Sequence, residues 1–203
     1  MSTDLATPTR AWPRVKWTRA AQVASLMGDD LPGMAAVAEL PPSAAFAVLR
    51  ESDPMGAARF MAHCLPRVDA ARWVAQCLFD MERAPSSTLP SALPPARAAA
   101  AKAVRRWVAT PSDEARRLAF AAGGVAGWDT MEGMACLALY LSGGSLAPAA
   151  QEVPVNPPPG AFGQAAAGAV LLAASAAGVP AFATKLAAML DTADAIAAGD
   201  LPG

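Results

Sequence analysis

The sequence is poor in the residue types that build most catalytic and metal sites. Its 203 residues include one histidine and three cysteines, and no Cys-x-x-Cys or His-x-x-x-His spacing occurs. A zinc site therefore has no signature here. His63 and Cys64 are neighbours, but adjacent residues of a helix point about 100° apart and cannot form a nucleophilic pair directly. We therefore expect no catalytic residue, no metal and no cofactor.

Charge is scarce and balanced. Charged residues make up 16 % of the chain and the net charge is −1, so nothing attracts the whole molecule to nucleic acid or to an anionic membrane. The sequence does not interleave basic and aromatic residues, the pattern that favours stacking on nucleic-acid bases. We expect a protein partner and neither nucleic acid nor membrane.

Long hydrophobic runs are absent as well. The N-terminus has no apolar segment typical of a signal peptide. Residues 153–184 carry no charge, but glycines interrupt them and prolines flank them. Their unbroken apolar part is about 15 residues long, which is too short to span a membrane. With an odd number of cysteines and no secretion signal, the sequence predicts reduced, buried thiols and a cytoplasmic location.

Helical patterns dominate what remains. Alanine-rich segments alternate with nineteen prolines, which is typical of many short helices with defined ends. Asp53-Pro54 and Thr110-Pro111 each combine an N-cap residue with proline at the first helical position. No segment has the alternation of a strand. The sequence predicts an all-α fold, a compact bundle of about eight helices.

Composition divides the chain into four stretches. Residues 1–16 are predicted to form a flexible arm, and residues 17–83 an N-terminal helical half. Residues 84–95 are rich in proline and serine and indicate a connector. Residues 96–203 form a C-terminal half, which we expect to pack with the first into one globular unit.

The predicted centre of the bundle is a helix over residues 129–142. Asp129 or Thr130 is a plausible N-cap, Glu132 is the one charge inside the helix, in its first turn, and Gly143-Gly144 ends the helix. Apolar residues cover every side, which is typical of a buried helix. The helix before it, starting after Pro111, is predicted to bury a stripe formed by Ala115, Leu118, Ala119, Ala122 and Val125.

The loop after the central helix is the first candidate for partner binding. Loops on a rigid scaffold often carry recognition, and we add to this loop the tryptophan at the start of the central helix. The alternative interpretation is a simple glycine cap at the helix end. The candidate contacts are Trp128, Ser142, Gly143, Gly144, Ser145 and Leu146.

A group of arginines is the second candidate. They could form a basic face that docks an acidic partner, and we single out Arg105, Arg106, Arg116 and Arg117. The alternative is a solvated helix face, because Asp113 precedes Arg116 and Arg117 by three and four residues and can pair with them.

Several stretches resemble a known family. They are residues 60–73 (FMAHCLPRVDAARW), 103–108 (AVRRWV), Asp129-Thr130 leading to 141–148 (LSGGSLAP), and 167–173 (AGAVLLA). They are similar to an uncharacterised all-helical bacterial family that is associated with type VI secretion gene clusters, over residues 44–200. These motifs carry no catalytic role. The resemblance implies a cytoplasmic accessory protein encoded near spike, effector or immunity genes.

Three functions remain open at this stage. The first is a non-enzymatic adaptor that holds or loads a type VI secretion effector or spike component. The second is an immunity protein that binds and neutralises a toxic effector. The third, an enzyme, would need polar groups that converge in a pocket. The sequence leaves the oligomeric state undecided.

Overall fold

The architecture is all-α, which confirms the fold class expected from the helical periodicity. The computed structural model describes residues 10–28, 33–83, 93–148 and 150–202. Within these ranges the chain forms ten α-helices and one 3₁₀ helix, with no strand. The helices are α1 (Ala20–Met27), α2 (Met34–Val37), α3 (Pro42–Ser52), α4 (Pro54–Cys64), α5 (Arg67–Arg83), α6 (Pro95–Ala109), α7 (Asp113–Ala126), α8 (Met131–Leu141), α9 (Ala161–Ser175), the 3₁₀ helix (Val179–Ala181) and α10 (Phe182–Ala198).

Helix α8 is the buried centre that its apolar composition predicts. Every residue from 131 to 141 is buried or half-buried, and α5, α6, α7 and α9 pack around it. Its N-terminus is capped by Thr130, whose Oγ1 accepts a hydrogen bond from the Gly133 N–H at 3.1 Å. This cap satisfies one of the N–H groups that a helix start leaves without an intrahelical partner.

Two glycines bring α7 and α8 into backbone contact. A Cβ atom placed on Gly133 would lie 2.0 Å from the carbonyl oxygen of Gly127, and one placed on Gly123 would lie 2.6 Å from the Cβ of Cys136. No real side chain fits at such distances. The missing side chains therefore set both the separation of the two helices and the face that α7 turns toward α8.

The first turn of α8 contains a buried carboxylate. Glu132 is 0 % exposed, and both of its oxygens accept from Arg97 of α6, from Nε at 2.8 Å and from Nη2 at 3.1 Å. A buried charge is strongly unfavourable unless it is paired and hydrogen-bonded. The two-point contact meets that condition and fixes α6 against α8.

The stretch before α1 is anchored to the helices. Trp12 is buried, and its Nε1 donates to Asp194 of α10 at 2.7 Å while its ring lies 5.4 Å from that of Phe46 in α3. Residues 10–16 of the predicted flexible arm are thus held in place. Residues 1–9 of that arm, and residues 84–92 of the predicted connector, lie outside the described residues.

Helices from both predicted halves share one hydrophobic core. Helix α9 packs on α4 and α5 as well as on α8. Cys64, Cys77 and Cys136 are all buried thiols, as predicted. Burial raises the pKa of each of them, that of Cys136 to about 12.

In the described part of the chain, no single helix has the length and hydropathy to cross a membrane. Helix α9 together with the segment Val179–Ala198 meets both criteria, but the two axes meet at 113°. Helix α8 is apolar but has only 11 residues.

The close contact of α7 and α8 predicts the effect of Gly133→Ala. In an ordinary helix this change is favourable by up to about 1 kcal/mol, but here the added methyl group meets a carbonyl oxygen. We expect the free energy of unfolding to fall by about 2 kcal/mol in urea titrations. Gly143→Ala is the matched control, because a Cβ there has no atom within 4 Å. Equal stabilities of the two variants would contradict the contact.

The buried ion pair predicts a non-additive response. Arg97→Met leaves the Glu132 carboxylate buried without its partner, and we expect a loss of about 3 kcal/mol. The double change Arg97→Met with Glu132→Met should recover most of this loss, because both charges are then gone. The control Arg83→Met removes the arginine of an exposed pair with Asp80 and should change stability by less than about 0.5 kcal/mol. A double variant no more stable than Arg97→Met would show that the pair is not the cause.

Candidate partner-binding surface

Helix α7 begins next to the loop that the sequence singles out. The Oγ of Ser112 caps it by accepting from the Ala115 N–H at 3.1 Å. Asp113 in the first turn accepts from Arg116 Nε at 3.0 Å and from Arg117 Nε at 2.7 Å. These two guanidinium groups lower the pKa of the Asp113 carboxyl, with Arg117 the larger cause.

Arg116 is buried and joins α7 to the end of α8. It is 4 % exposed, and it donates from Nη1 to the carbonyl oxygen of Tyr140 at 2.6 Å and from Nη2 to that of Ser145 at 2.8 Å. Its guanidinium carbon lies 4.6 Å from the centroid of the Tyr140 ring. One side chain therefore fixes both the last turn of α8 and the loop that follows.

Further hydrogen bonds hold the loop from other sides. The Tyr140 hydroxyl donates to the Leu146 carbonyl at 2.8 Å, and the Leu146 N–H donates to the Val155 carbonyl at 2.7 Å. The Ser145 Oγ accepts from the Ala147 and Val155 N–H groups at 3.1 and 3.0 Å. Of the residues from 142 to 146, only Gly144 is exposed. The loop is thus a fixed base that offers little side-chain surface.

A row of aromatic rings runs from this base to the surface. The Phe120 ring lies 4.2 Å from that of Tyr140 and 5.4 Å from that of Trp128, each at 26°. Trp128 rests on the surface that Gly124 leaves open, 3.4 Å from where a Cβ would stand. Phe120 and Trp128 form the exposed end of the row. Stacked rings hold each other in one orientation.

The outward side of α7 is apolar over most of its length. Val125 is 76 % exposed, and Leu118 and Ala121 are exposed as well. Residues 118–128 contain no charged, amide or hydroxyl side chain. Contiguous exposed apolar surface on a folded protein is typical of an interaction site. We call this surface the α7 patch and define it as Leu118, Phe120, Ala121, Val125 and Trp128.

The predicted buried stripe of α7 is wrong in part. Ala115 and Ala119 are buried as predicted and Ala122 is half-buried, but Leu118 and Val125 are exposed, and Arg116 and Gly123 are buried in their place. The reason is the contact with α8, which requires Gly123 to face inward. Arg116, seven residues earlier, lies on the same face of the helix and therefore faces inward as well. The sequence does contain a signal for this exposed apolar side. Residues 118–128 have no charged, amide or hydroxyl side chain, so any side of this stretch that faces solvent is apolar.

The arginines do not form one basic face. Arg105 pairs with Glu82 of α5 and lies over the Phe79 ring, and Arg106 pairs with Glu114 at 2.8 Å. Only Arg116 and Arg117 reach the loop, where Arg117 Nη2 donates to the Ser145 carbonyl at 3.0 Å. Each of the four arginines already faces a carboxylate.

His63 lies on α4, apart from the α7 patch. The His63 ring packs against Gly163 of α9 and its Nδ1 lies 2.8 Å from the Arg59 carbonyl oxygen. In the described residues, no three His, Cys, Asp or Glu side chains are placed to hold a metal ion.

The fold and this surface define an all-α helical protein with a rigid, exposed apolar helix face. A family model matches residues 44–197, which is more than half of the chain, and its description is "family of unknown function (DUF6931)". The chain belongs to this family. No curated protein and no solved structure matches it.

The position of Arg116 predicts that Arg116→Met loosens the loop. The carbonyl groups of Tyr140 and Ser145 lose a buried charged donor, and we expect a loss of about 3 kcal/mol in the free energy of unfolding. Amide hydrogen exchange at Leu146 and Ala147 should become faster. The control Arg106→Met removes an exposed pair and should leave both readouts nearly unchanged. Unaltered exchange at Leu146 in Arg116→Met would contradict the role of Arg116.

Proposed function

We propose that the protein is a non-enzymatic binding protein and that the α7 patch receives a protein partner. The observation that carries this proposal is the exposed apolar surface of α7 from Leu118 onward, in which Val125 is 76 % exposed and Phe120 and Trp128 are also exposed. A solvated helix normally presents polar side chains there.

The construction of the surface also supports binding. The Phe120 and Trp128 rings are fixed by stacking and by the contact with Gly124. Tryptophan is among the residues that contribute most to affinity in interfaces, and a surface ordered before binding loses less entropy on association. Asp113 and Arg117 lie at one end of the helix and provide a polar rim.

Apolar contact, not charge, holds the partner in this proposal. Near the patch Arg106 pairs with Glu114, whereas Arg116 and Arg117 share Asp113, so only one net positive charge remains to attract an acidic protein. Affinity should therefore change little between low and high salt.

The class of partner comes from the sequence resemblance. Those segments favour a cytoplasmic accessory role in type VI secretion, in which the patch holds an effector or spike component before secretion. The alternative is an immunity protein that binds and neutralises a toxic effector, and it would use the same patch.

The decisive substitution is Val125→Glu, with Val179→Glu as its matched control. Both introduce a carboxylate at an exposed valine, and Val179, at 93 % exposure, lies in the 3₁₀ helix outside the patch. Partners recovered with tagged wild-type protein are identified by mass spectrometry, purified and titrated calorimetrically. We expect Val125→Glu to weaken binding at least about tenfold and Val179→Glu to leave it unchanged.

Three outcomes would change the proposal. Equal affinity of wild type and Val125→Glu would exclude the α7 patch as the binding surface. A concentration-dependent dimer in sedimentation, broken by Val125→Glu, would make a second copy of the chain the occupant. A toxin that is inactivated in the complex, with cells rescued by the protein, would favour immunity. Loss of effector secretion without rescue would favour the adaptor.

A further inference from the structure

A second surface feature lies away from the α7 patch. A cleft of about 580 Å³ opens between the segment before α1, the junction of α4 and α5, and the start of α9. Its lining comes from three parts of the chain and from Leu26 of α1: Arg14, Lys16 and Trp17; residues 62–67; and Pro157, Pro159, Gly160, Phe162 and Gly163. This volume lies in the range of sites for small organic ligands. The cleft shares no residue with the α7 patch.

The charge of the cleft is positive. Arg14, Lys16 and Arg67 line it, and no acidic side chain of the described residues does. Arg14 has a partner in Asp69 at 3.3 Å. Among the described residues, no carboxylate pairs with Lys16 or Arg67. In a chain with a net charge of −1, this is a local concentration of unneutralised cations that favours an anion.

The cleft also has apolar walls. Trp17 and Phe162 line it together with Leu26, and the Lys16 ammonium lies 4.4 Å from the centroid of the Trp17 ring. A cation beside an aromatic ring is suited to a ligand that has a charged end and an apolar body. An inorganic anion would contact the cations of the cleft but would leave its apolar walls without a partner.

His63 forms part of the wall and is held between two carbonyl oxygens. Its Nδ1 lies 2.8 Å from the Arg59 carbonyl and its Nε2 lies 3.3 Å from the Gly160 carbonyl. A neutral imidazole can donate to only one of them, whereas imidazolium donates to both. Burial lowers the pKa of His63, and the positive charge of Arg59 acts in the same direction. At neutral pH one carbonyl therefore faces a ring nitrogen without a proton.

We propose that this cleft binds a small molecule that carries a phosphate or carboxylate group on an apolar body. The acidic group lies between Lys16 and Arg67, and the apolar part lies against Trp17 and Phe162. This binding site goes beyond the proposed protein-binding function and does not depend on it.

Anion binding is linked to protonation of His63. The charge that acts on the pKa of His63 is Arg59 on its own helix, which lowers it, and the charged residues that line the same cleft are Arg14, Lys16 and Arg67. All four are positive. A bound anion adds a negative charge to the cleft, which favours imidazolium, so it raises the pKa of His63 and binds more tightly as the pH falls.

The single histidine makes the test specific. Tag-free, full-length protein gives one imidazole Cε1–H resonance, which is followed between about pH 5 and 8 with increasing phenyl phosphate. Benzoate tests the carboxylate form, inorganic phosphate tests the charge without the apolar body, and phenol tests the body without the charge. We expect saturable shifts and a raised His63 pKa with phenyl phosphate or benzoate.

The matched variants are Arg67→Glu and Arg83→Glu. Arg67 begins α5, where a carboxylate suits the helix dipole, so the fold should be retained and circular dichroism will check it. Arg83 is an exposed residue at the other end of the same helix. We expect Arg67→Glu to weaken binding about tenfold and Arg83→Glu to leave it unchanged.

Each remaining outcome would overturn the proposal. No saturable shift with either aromatic acid would show that the cleft takes no such ligand. If phenol binds as tightly as the aromatic acids, the cleft does not recognise the charged group. If inorganic phosphate binds as tightly as phenyl phosphate, the cleft does not recognise an apolar body. Undiminished affinity in folded Arg67→Glu would place the ligand elsewhere.

Discussion

The contact between α7 and α8 is the constraint on which the candidate surface depends. Gly133 lies beneath the Gly127 carbonyl and Gly123 lies against Cys136, so the helix backbones meet without side chains between them. This contact fixes the rotation of α7 about its own axis. Arg116 is thereby directed to the end of α8, and Val125 is left in solvent. The apolar patch is a consequence of how the core is packed.

The two buried charges at α8 match the polarity of that helix. Glu132 lies in its first turn, where a helix N-terminus favours a carboxylate, and Arg116 donates to the carbonyl of Tyr140 in its last turn. Each charge has a partner from a neighbouring helix or its own turn, Arg97 and Asp113 respectively. The Arg97–Glu132 pair, with its fully buried carboxylate, joins α6 to α8, and Arg116 joins α7 to α8. A buried pair of this kind contributes little net stability, because desolvation of the charges offsets their attraction.

Local patterns in the sequence predict where the helices are better than they predict how the helices pack against each other. The burial of α8 follows from its composition, and the Asp53 cap, which accepts from the Gly56 N–H at 2.9 Å, follows from Asp-Pro. Helical periodicity did not predict the exposed side of α7, because it places the apolar Leu118 in the core in preference to the charged Arg116. The cleft was not predictable, since Lys16, Arg67 and Gly160 are brought together only by tertiary packing. Periodicity carries no information about such distant pairs.

The proline-rich segment 150–160 connects the surroundings of both candidate sites. Val155 exchanges hydrogen bonds with the loop after α8. Gly160, just before α9, contacts His63 and lies close to the carbonyl oxygen of Leu26 in α1. Prolines between these points restrict the backbone and lack the N–H groups that would otherwise need acceptors. The part from 155 to 160 is thus fixed at both of its ends and needs few hydrogen bonds in between. In this way a stretch without regular secondary structure holds the loop after α8 and part of the cleft lining in position.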